Sequence, residues 1–192
     1  MQTNYWNDEN LIRILKTGGV AVMPTDTIYG IVGQALNEWA VERIYKVRQR
    51  APEKPCIILI GNIGALEQFS ITLSEEQKRE LEKIWPSNTE NKPTSVVFDC
   101  INEKLTYLHR GTDSLAFRLP GNESLRNLLK KTGPLIAPSA NPEGLLPAYN
   151  IEKAKEYFKD SADICIDGGE TLNQASRVIK LHKDCSISIL RE

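Results

Sequence analysis

Two short apolar runs, separated by a helix-like segment and a basic loop, constrain the fold of this chain most strongly. The first run covers residues 20–23 and stops at Pro24, and the second covers residues 57–60. Between them lie a small polar turn at 25–27, a segment with helical periodicity and a cationic stretch that contains proline. A strand, a loop, a helix, a basic loop and a second strand in this order predict an α/β domain. Because ligands of open α/β sheets bind beyond the strand ends, we expect the polar turn and the basic loop to share one binding site.

Composition and charge limit the kinds of protein that this chain can be. Its 192 residues are enough for one sizeable core, and a charged share of 26% with a hydrophobic share of 41% is ordinary for a globular protein. A formal net charge of −1 argues against nucleic-acid binding driven by bulk charge. No window approaches the roughly 20 apolar residues of a membrane span, and the N-terminus lacks the pattern of a signal peptide. We therefore expect a cytoplasmic protein without a membrane segment.

The rest of the chain alternates between helical and extended patterns. Apolar residues at helical spacing follow Asn37, a typical N-cap, and Ser74 with Gln77 forms a predicted capping box. Helices are predicted after Asn37 and at 8–17, 66–69, 74–84, 123–131 and 151–158. Strands are predicted at 20–23, 57–60, 95–100, 115–119, 135–137, 164–166, 178–181 and 187–190, with a loop at 85–93. No repeat or linker divides the chain, so we predict one domain over residues 1–192, a twisted mixed sheet with flanking helices.

Two polar clusters lie beside the first predicted strands. The turn at 25–27, TDT, is typical of an ordinary capped turn, although its hydroxyls also suit a ligand. The loop after the predicted helix holds Arg48, Arg50 and Lys54. A run of this kind is usually a solvated charged surface, but guanidinium and ammonium groups held together also suit phosphate binding.

Three further clusters lie later in the chain. Arg118 interrupts an apolar run, so its head group either reaches the surface along the strand or meets an anion; the sequence leaves both open. Ser139 and Asn141 follow a predicted strand among small residues, which is typical of a plain turn and also of a backbone that approaches a ligand closely. Ser176 and Arg191 belong to the last cluster, near the end of the chain.

No standard signature assigns a reaction to these clusters. Neither the GxxxxGK[ST] loop nor the GxGxxG loop is present, and no Ser/His/Asp or Cys/His arrangement indicates covalent catalysis. The four cysteines lack CxxC-type spacing and are expected in the core, and no metal site is predicted. The clusters together predict a site for a nucleotide and a small hydroxyl-bearing substrate.

In this order, the clusters resemble the YrdC-like family of threonylcarbamoyl-AMP synthases. The segments that carry the resemblance are PTDTIYG at 24–30, RQRAPEKP at 48–55, LAFRLPG at 115–121, APSAN at 137–141, SRV at 176–178 and ILR at 189–191. The resemblance covers nearly the whole chain, from about Gly18 to Arg191. It implies a single twisted α/β domain around a large, open, basic cavity. Longer relatives carry an additional C-terminal domain, and the extent of this chain is that expected of the short form.

The resemblance also implies a reaction. L-threonine, bicarbonate and ATP are joined to threonylcarbamoyl-AMP with release of pyrophosphate, and Mg²⁺ is expected to assist at the phosphates. The product is then used by partner proteins, tRNA threonylcarbamoyl transferases, to modify tRNA. The residues implied to bind threonine are Thr27, Arg118 and Ser176. The residues implied to bind ATP are Arg48, Arg50, Lys54, Ser114, Ser139, Asn141 and Arg191. The implied catalytic residues are Arg50, Lys54 and Arg118, which would act by positioning and charge stabilisation.

Four positions depart from the family pattern. The family's KxR is Arg48-Gln49-Arg50 here, unless Lys46-Val47-Arg48 is the working register. Glu143 stands near a position where a Ser-Gly pair is common, a polar insertion replaces WPGP within 85–93, and SRV at 176–178 replaces STV. These departures keep a second hypothesis open: a paralogue that binds a nucleotide, or structured RNA such as tRNA or double-stranded RNA, without threonine-dependent turnover. Threonine-dependent release of pyrophosphate distinguishes the two.

Overall fold

The computed structural model describes residues 5–86, 92–171 and 173–192, so residues 87–91 of the predicted loop at 85–93 lie outside it. The α-helices of the described residues are α1 (Glu9–Lys16), α2 (Glu38–Arg48), α3 (Glu75–Ile84), α4 (Thr106–His109), α5 (Glu123–Thr132) and α6 (Ile151–Phe158). The strands are β1 (Ala21–Pro24), β2 (Tyr29–Gln34), β3 (Ile57–Leu59), β4 (Thr94–Asp99), β5 (Ser114–Arg118), β6 (Leu135–Ile136), β7 (Ile164–Cys165), β8 (Arg177–Leu181) and β9 (Ile187–Arg191). Short 3₁₀ helices lie at Tyr5–Asn7, Ile63–Phe69, Glu103–Leu105 and Lys159–Ser161.

The nine strands found in the described residues form one sheet. Their order is β7-β1-β2-β6-β3-β5-β4-β8-β9. The pairs β7–β1, β3–β5 and β4–β8 are parallel, and the other neighbours are antiparallel. A mixed sheet with flanking helices confirms the predicted fold class. The antiparallel β8–β9 pair also confirms the strand pair predicted near the end of the chain.

Side-chain caps fix several helix starts in the way that the sequence predicts. The Asn37 side chain accepts a hydrogen bond from the Ala40 amide at 3.1 Å. Ser74 and Gln77 form the complete capping box of α3, with distances of 3.2 and 3.0 Å. The helix predicted at 66–69 is part of a 3₁₀ helix, and α4 was not predicted. No helix among the described residues combines the length and the apolar character needed to cross a membrane.

The main error of the sequence-based prediction is β2, which follows directly after the polar turn. The pattern indicates a loop there and then a helix, because Gly30 and Gly33 interrupt the apolar run. A Cβ atom at Gly33 would lie 3.1 Å from Ile44 Cδ1 and 3.3 Å from Ala40 Cβ of α2. Glycine therefore lets the helix pack closely on the strand. Gly33 therefore weakens the strand pattern in the sequence, and the packing of α2 on β2 requires it.

A hydrophobic core packs on each face of the sheet, and alternate residues of a strand enter opposite cores, whereas the edge strand β9 is exposed. Val22 belongs to the larger core, whereas its neighbours Ala21 and Met23 belong to the smaller one. The larger core packs under α2, α3 and α6, and the smaller core under α1 and α5. Cys56 and Cys100 are buried in the larger core as predicted, while the other two cysteines are only partly buried.

The sheet curls so strongly that distant strands meet. Three strands separate β1 from β5 in the sheet order, which in a flat sheet would place them about 19 Å apart. Arg118 Nη2 at the end of β5 nevertheless lies 3.1 Å from Thr27 Oγ1, in the turn after β1. Accumulated strand twist therefore carries the β1–β2 turn over one face of the sheet. The space between that turn and the sheet is the candidate site.

Candidate active site

A cavity of about 270 Å³ opens between the β1–β2 turn and the sheet. Its walls come from that turn, the segment before β3, the strand β5, the segment after β6 and the last two strands. Six residues predicted from the sequence line it: Thr27, Arg50, Arg118, Ser139, Ser176 and Arg191. Four predicted residues do not line it: Arg48, Lys54, Ser114 and Asn141.

Other cavities among the described residues are larger, but they do not combine several cations with several hydroxyl groups. A cavity of about 340 Å³ is lined by the three cations Lys83, Lys92 and Arg177, with a single hydroxyl, that of Thr94. One of about 320 Å³ shares Thr25 and Asp26 with the turn and contains a single cation, Lys92. Another, of about 660 Å³, lies at the far ends of β4 and β8 and also holds one cation, Lys183. The 270 Å³ cavity contains three arginines together with several hydroxyl groups. Charge and hydroxyl density, rather than volume, single it out as the candidate site.

The polar turn at 25–27 is both a capped turn and part of the cavity wall. Thr25 Oγ1 donates to the Ile28 carbonyl at 2.8 Å and accepts from the Thr27 amide at 3.2 Å. The hydroxyls of Thr25 and Thr27 are themselves 3.0 Å apart. The two interpretations of this segment are therefore compatible, because Thr25 closes the turn and thereby fixes the Thr27 hydroxyl at the cavity.

Arg118 meets an anion, which decides between the two alternatives that the sequence left open. Its Nη2 donates to Asp26 Oδ1 at 2.8 Å and to Thr27 Oγ1 at 3.1 Å, and the whole residue is only 4% exposed. Asp26 is nearly buried as well, so each charge compensates the other away from water. Among the described residues the Arg118 Nε has no hydrogen-bond partner. The guanidinium thus keeps a donor that its protein partners do not use.

Ser176 is held by a buried partner that the sequence analysis missed. Its hydroxyl lies 2.8 Å from the hydroxyl of Ser95 in β4, and both side chains are almost fully buried. The Ser176 carbonyl accepts a hydrogen bond from Arg191 Nη2 at 2.7 Å. Burial, together with the positive charge of Arg118, lowers the pKa of Arg191. One feature of the sequence indicated the role of Ser95, namely a polar residue within the run of strand-forming residues that is β4.

Arg48 is a structural cation behind the cavity. It is only 2% exposed, and its Nε donates to the Asn141 carbonyl at 2.9 Å while its Nη2 donates to Ser139 Oγ at 3.1 Å. Burial, followed by the nearby Arg50 charge, lowers its pKa to about 10. Lys46 is exposed on the opposite side of α2. The geometry therefore places Arg48 and Arg50, not Lys46, beside the segment that contains Ser139.

Arg50 and Lys54 diverge although they belong to one loop. Arg50 Nε donates to the Lys54 carbonyl at 3.0 Å and its Nη2 to the Pro55 carbonyl at 2.8 Å, and the residue lines the cavity. The Lys54 side chain points away to Glu143, with which it forms an ion pair. Ser114 starts β5 and shares a sheet face with Ala116 and Arg118, beyond the residues that line the cavity.

The arrangement suits a ligand with several anionic groups. Arg50, Arg118 and Arg191 face one space, and charge-assisted hydrogen bonds from guanidinium groups to carboxylates and phosphates are the strongest class available to a protein. The hydroxyls of Thr27 and Ser139 add neutral donors and acceptors at the same space. Among the described residues, no group of three or more His, Cys, Asp or Glu side chains is placed to hold a metal ion.

Comparison with protein families shows which family this chain is similar to. Residues 13–192 match the Sua5/YciO/YrdC family, whose description is "Telomere recombination". The chain belongs to the Sua5/YciO/YrdC family. Thus the resemblance inferred from the sequence segments is confirmed.

Curated members of the Sua5/YciO/YrdC family include similar proteins of archaea and bacteria. A Pyrococcus abyssi protein named threonylcarbamoyl-AMP synthase is 30% identical over 178 residues, 92% of this chain and 51% of that protein. A Pseudomonas aeruginosa protein of the same name is 32% identical over 157 residues, 81% of this chain and 82% of that protein. The chain therefore spans about half the length of the archaeal relative and most of the bacterial one.

The fold of a solved family member is also similar. The crystal structure of P. abyssi Sua5 complexed with L-threonine aligns with a TM-score of 0.79 at 30% identity, covering 92% of this chain and 51% of that chain. E. coli YciO aligns with a TM-score of 0.78 at 21% identity, which supports the shared fold alone.

Proposed function

We propose that this protein is a threonylcarbamoyl-AMP synthase, which condenses L-threonine, bicarbonate and ATP to threonylcarbamoyl-AMP and pyrophosphate. The observation that carries the proposal is the meeting of Arg50, Arg118 and Arg191 with four hydroxyl-bearing residues in one cavity. The names of the relatives and the threonine complex of the P. abyssi protein support the same reaction. A cavity of this charge fits a reaction whose substrates are all anionic or zwitterionic.

Threonine would occupy the side of the cavity formed by the β1–β2 turn. Arg118 lines the cavity while its Nη2 is compensated by Asp26, and a guanidinium in this position suits the substrate carboxylate. Thr27 and Ser176 would bind the polar groups of the same substrate, the first through a hydroxyl that the turn already orients. The buried Ser95–Ser176 pair would hold that second hydroxyl in place.

ATP would occupy the side formed by the basic loop and the segment after β6. Arg50 and Ser139 line this wall, and Arg191 closes it from the last strand. Arg48 and Asn141 would act from behind, since Arg48 binds the backbone and side chains of the segment that carries Ser139. Lys54 would approach the phosphates from the rim, and Ser114 would contact the nucleotide beyond Ala116 on the same sheet face.

The chemistry needs no nucleophilic side chain, because the substrates provide the nucleophile. The threonine amino nitrogen bonds to the carbon of bicarbonate with loss of water, which gives a carbamate. A carbamate oxygen then bonds to the α-phosphorus of ATP, the bond from that phosphorus to the bridging oxygen breaks, and pyrophosphate leaves. Both steps bring anions together, so the three arginines would lower the repulsion and stabilise the charge on the leaving pyrophosphate.

In this proposal, bicarbonate is a co-substrate and Mg²⁺ would be bound together with ATP. The described residues offer no cage of carboxylates for a resident metal ion, and Asp26, which contacts Arg118 of the cavity wall, is paired with that arginine. Mg²⁺ in nucleotide enzymes is commonly held by the phosphates and water. We assign no step to it. The product would pass to tRNA threonylcarbamoyl transferase proteins.

The test is an omission series on the purified protein. Pyrophosphate release is measured with ATP alone, with ATP and threonine, with ATP and bicarbonate, and with all three. The proposal expects release only in the complete mixture. Release that ignores threonine, or ATP binding without release, would contradict it and favour the nucleotide- or RNA-binding paralogue.

A further inference from the structure

Glu143 joins the two segments that form the ATP wall of the cavity. One carboxylate oxygen accepts the amide hydrogen of Ala51, and the other pairs with the Lys54 ammonium. The Glu143 amide in turn donates to the Arg48 carbonyl at 2.8 Å. Through these three contacts, Glu143 binds the basic loop at Arg48, Ala51 and Lys54.

The ion pair with Glu143 engages Lys54, a cation that the proposed reaction needs at the phosphates. Lys54 lies between Arg50 and Pro55, both of which line the cavity, yet its own side chain turns outward to Glu143. The two side chains are 54% and 27% exposed, so water screens their attraction and the pair can open at small cost. The Lys54 ammonium and the Ala51 amide together lower the pKa of the Glu143 carboxyl. Glu143 therefore carries its negative charge at neutral pH.

We propose that Glu143 is a positioning residue that takes the place of a phosphate group on Lys54, so that ATP must displace it and binds less tightly as a result. The inference rests on the proposed function, because it names ATP as the displacing anion. A flexible four-carbon side chain reaches about 6 Å from its Cα, so a released Lys54 can turn toward the cavity beside Arg50. Glu143 would thereby set the affinity for ATP without touching the reacting atoms.

The two carboxylate oxygens serve separate partners, and this allows a clean substitution. In Glu143→Gln the amide oxygen still accepts the Ala51 amide hydrogen, whereas the charge that holds Lys54 is gone. If Glu143 were only a structural brace, its substitution would leave ATP binding unchanged or weaken it. If it competes with phosphate, the same substitution strengthens binding. The direction of the change separates the two roles.

The experiment is calorimetric titration of the full chain with ATP, for the unaltered protein and for Glu143→Gln. We expect Glu143→Gln to lower the Kd for ATP by about two- to fivefold, the range that the loss of one exposed ion pair allows. Glu53→Gln is the matched control, because Glu53 is an exposed acid of the same basic loop, whereas the carboxylate that binds the Ala51 amide and the Lys54 ammonium is that of Glu143. It removes the same charge and should leave the Kd near that of the unaltered chain.

A second background tests whether the effect acts through Lys54. When Lys54→Met is already present, Glu143→Gln should no longer tighten ATP binding. An unchanged or higher Kd in Glu143→Gln, with thermal unfolding intact, would overturn the inference while leaving the proposed function in place. Tightening that persists in full beside Lys54→Met would also overturn it. If the unaltered chain binds no ATP, the proposed function fails first and the inference falls with it.

Discussion

The guanidinium of Arg118 donates to the carboxylate of Asp26 across 2.8 Å, although 92 residues separate them in the chain. The pair lies almost out of water; Arg118 lines the candidate site, and Asp26 lines the neighbouring cavity of about 320 Å³. A buried ion pair contributes little net stability, but removal of one partner leaves an uncompensated charge. The pair therefore couples the position of Arg118 in the cavity wall to the stability of the fold.

Arg118→Ala should reduce both the stability of the fold and the proposed activity. The free energy of unfolding should fall by about 3–5 kcal/mol, because the Asp26 carboxylate would remain buried without its cation. Threonine-dependent release of pyrophosphate should be lost as well. Denaturant unfolding and the omission assay measure the two effects.

A second variant separates charge balance from substrate binding. Adding Asp26→Asn to Arg118→Ala removes the stranded charge, so part of the lost stability should return while threonine binding should not. A double variant that recovered threonine binding would contradict the assignment of Arg118 to the substrate carboxylate.

The Ser95–Ser176 pair gives a parallel prediction with neutral groups. Ser176→Ala leaves the fully buried Ser95 hydroxyl without its partner, so the unfolding free energy should drop by about 1–3 kcal/mol. Replacing both serines by alanine should cost less than Ser176→Ala alone, since no polar group then stays unpaired. The KM for threonine should rise in both variants, whereas the KM for ATP should not. Equal rises in both constants would place Ser176 outside the threonine site.

The sequence predicted most of the helices, because their signals are local. Asn37 and the Ser74–Gln77 box each act over three residues, and both form as the pattern indicates. The prediction at β2 was wrong for a tertiary reason, since Gly33 is required by the helix that packs on it.

In the candidate site too, the sequence indicated the residues of local motifs but not their long-range partners. Residues such as Thr27 and Ser139 lie in short segments whose order along the chain is distinctive, so the sequence alone was enough to name them. Their partners could not be named in this way. The pairs that shape the cavity wall join residues 92, 81 and 89 positions apart, namely Asp26 with Arg118, Ser95 with Ser176 and Lys54 with Glu143. Only the curl of the sheet and the meeting of two loops bring them into contact.

The two possible registers of the basic motif make different predictions. Arg48→Met should remove the donors that hold Asn141 and Ser139, so the unfolding free energy should fall by about 1–3 kcal/mol. The displaced segment should raise the Kd for ATP by roughly tenfold or more. Lys46→Met is the matched control on the exposed side of the same helix. A larger loss of ATP affinity in Lys46→Met than in Arg48→Met would reverse the assignment.

Asp163 is expected to stabilise the folded state at neutral pH and to lose this contribution in acid. Its carboxylate pairs with Arg43 of α2 and accepts the Val20 amide hydrogen at 2.7 Å, and the Arg43 guanidinium is the main cause that lowers its pKa below the usual 3.8. A carboxyl with a lowered pKa stabilises the folded state above its unfolded pKa and loses this contribution as pH falls through the folded value.

Asp163→Asn should therefore be less stable than the unaltered chain at neutral pH, by about 0.2–1 kcal/mol because the pair is partly exposed. The difference should shrink below about pH 4. Urea unfolding at several pH values measures it, and Asp160→Asn, which alters an exposed acid of the same loop region, serves as the charge control. A difference that stays constant into acid would mean that the Asp163 charge is not its source.

In the proposed reaction, threonine, bicarbonate and ATP become one molecule in the cavity lined by Arg50, Arg118 and Arg191. The most direct test of this reaction is mass spectrometry of the reaction mixture with ¹³C-labelled bicarbonate and unlabelled threonine and ATP. We expect an adduct of AMP and threonine that contains the labelled carbon, formed together with pyrophosphate and absent when threonine is omitted. An adduct without the label, or AMP and pyrophosphate without any adduct, would contradict it.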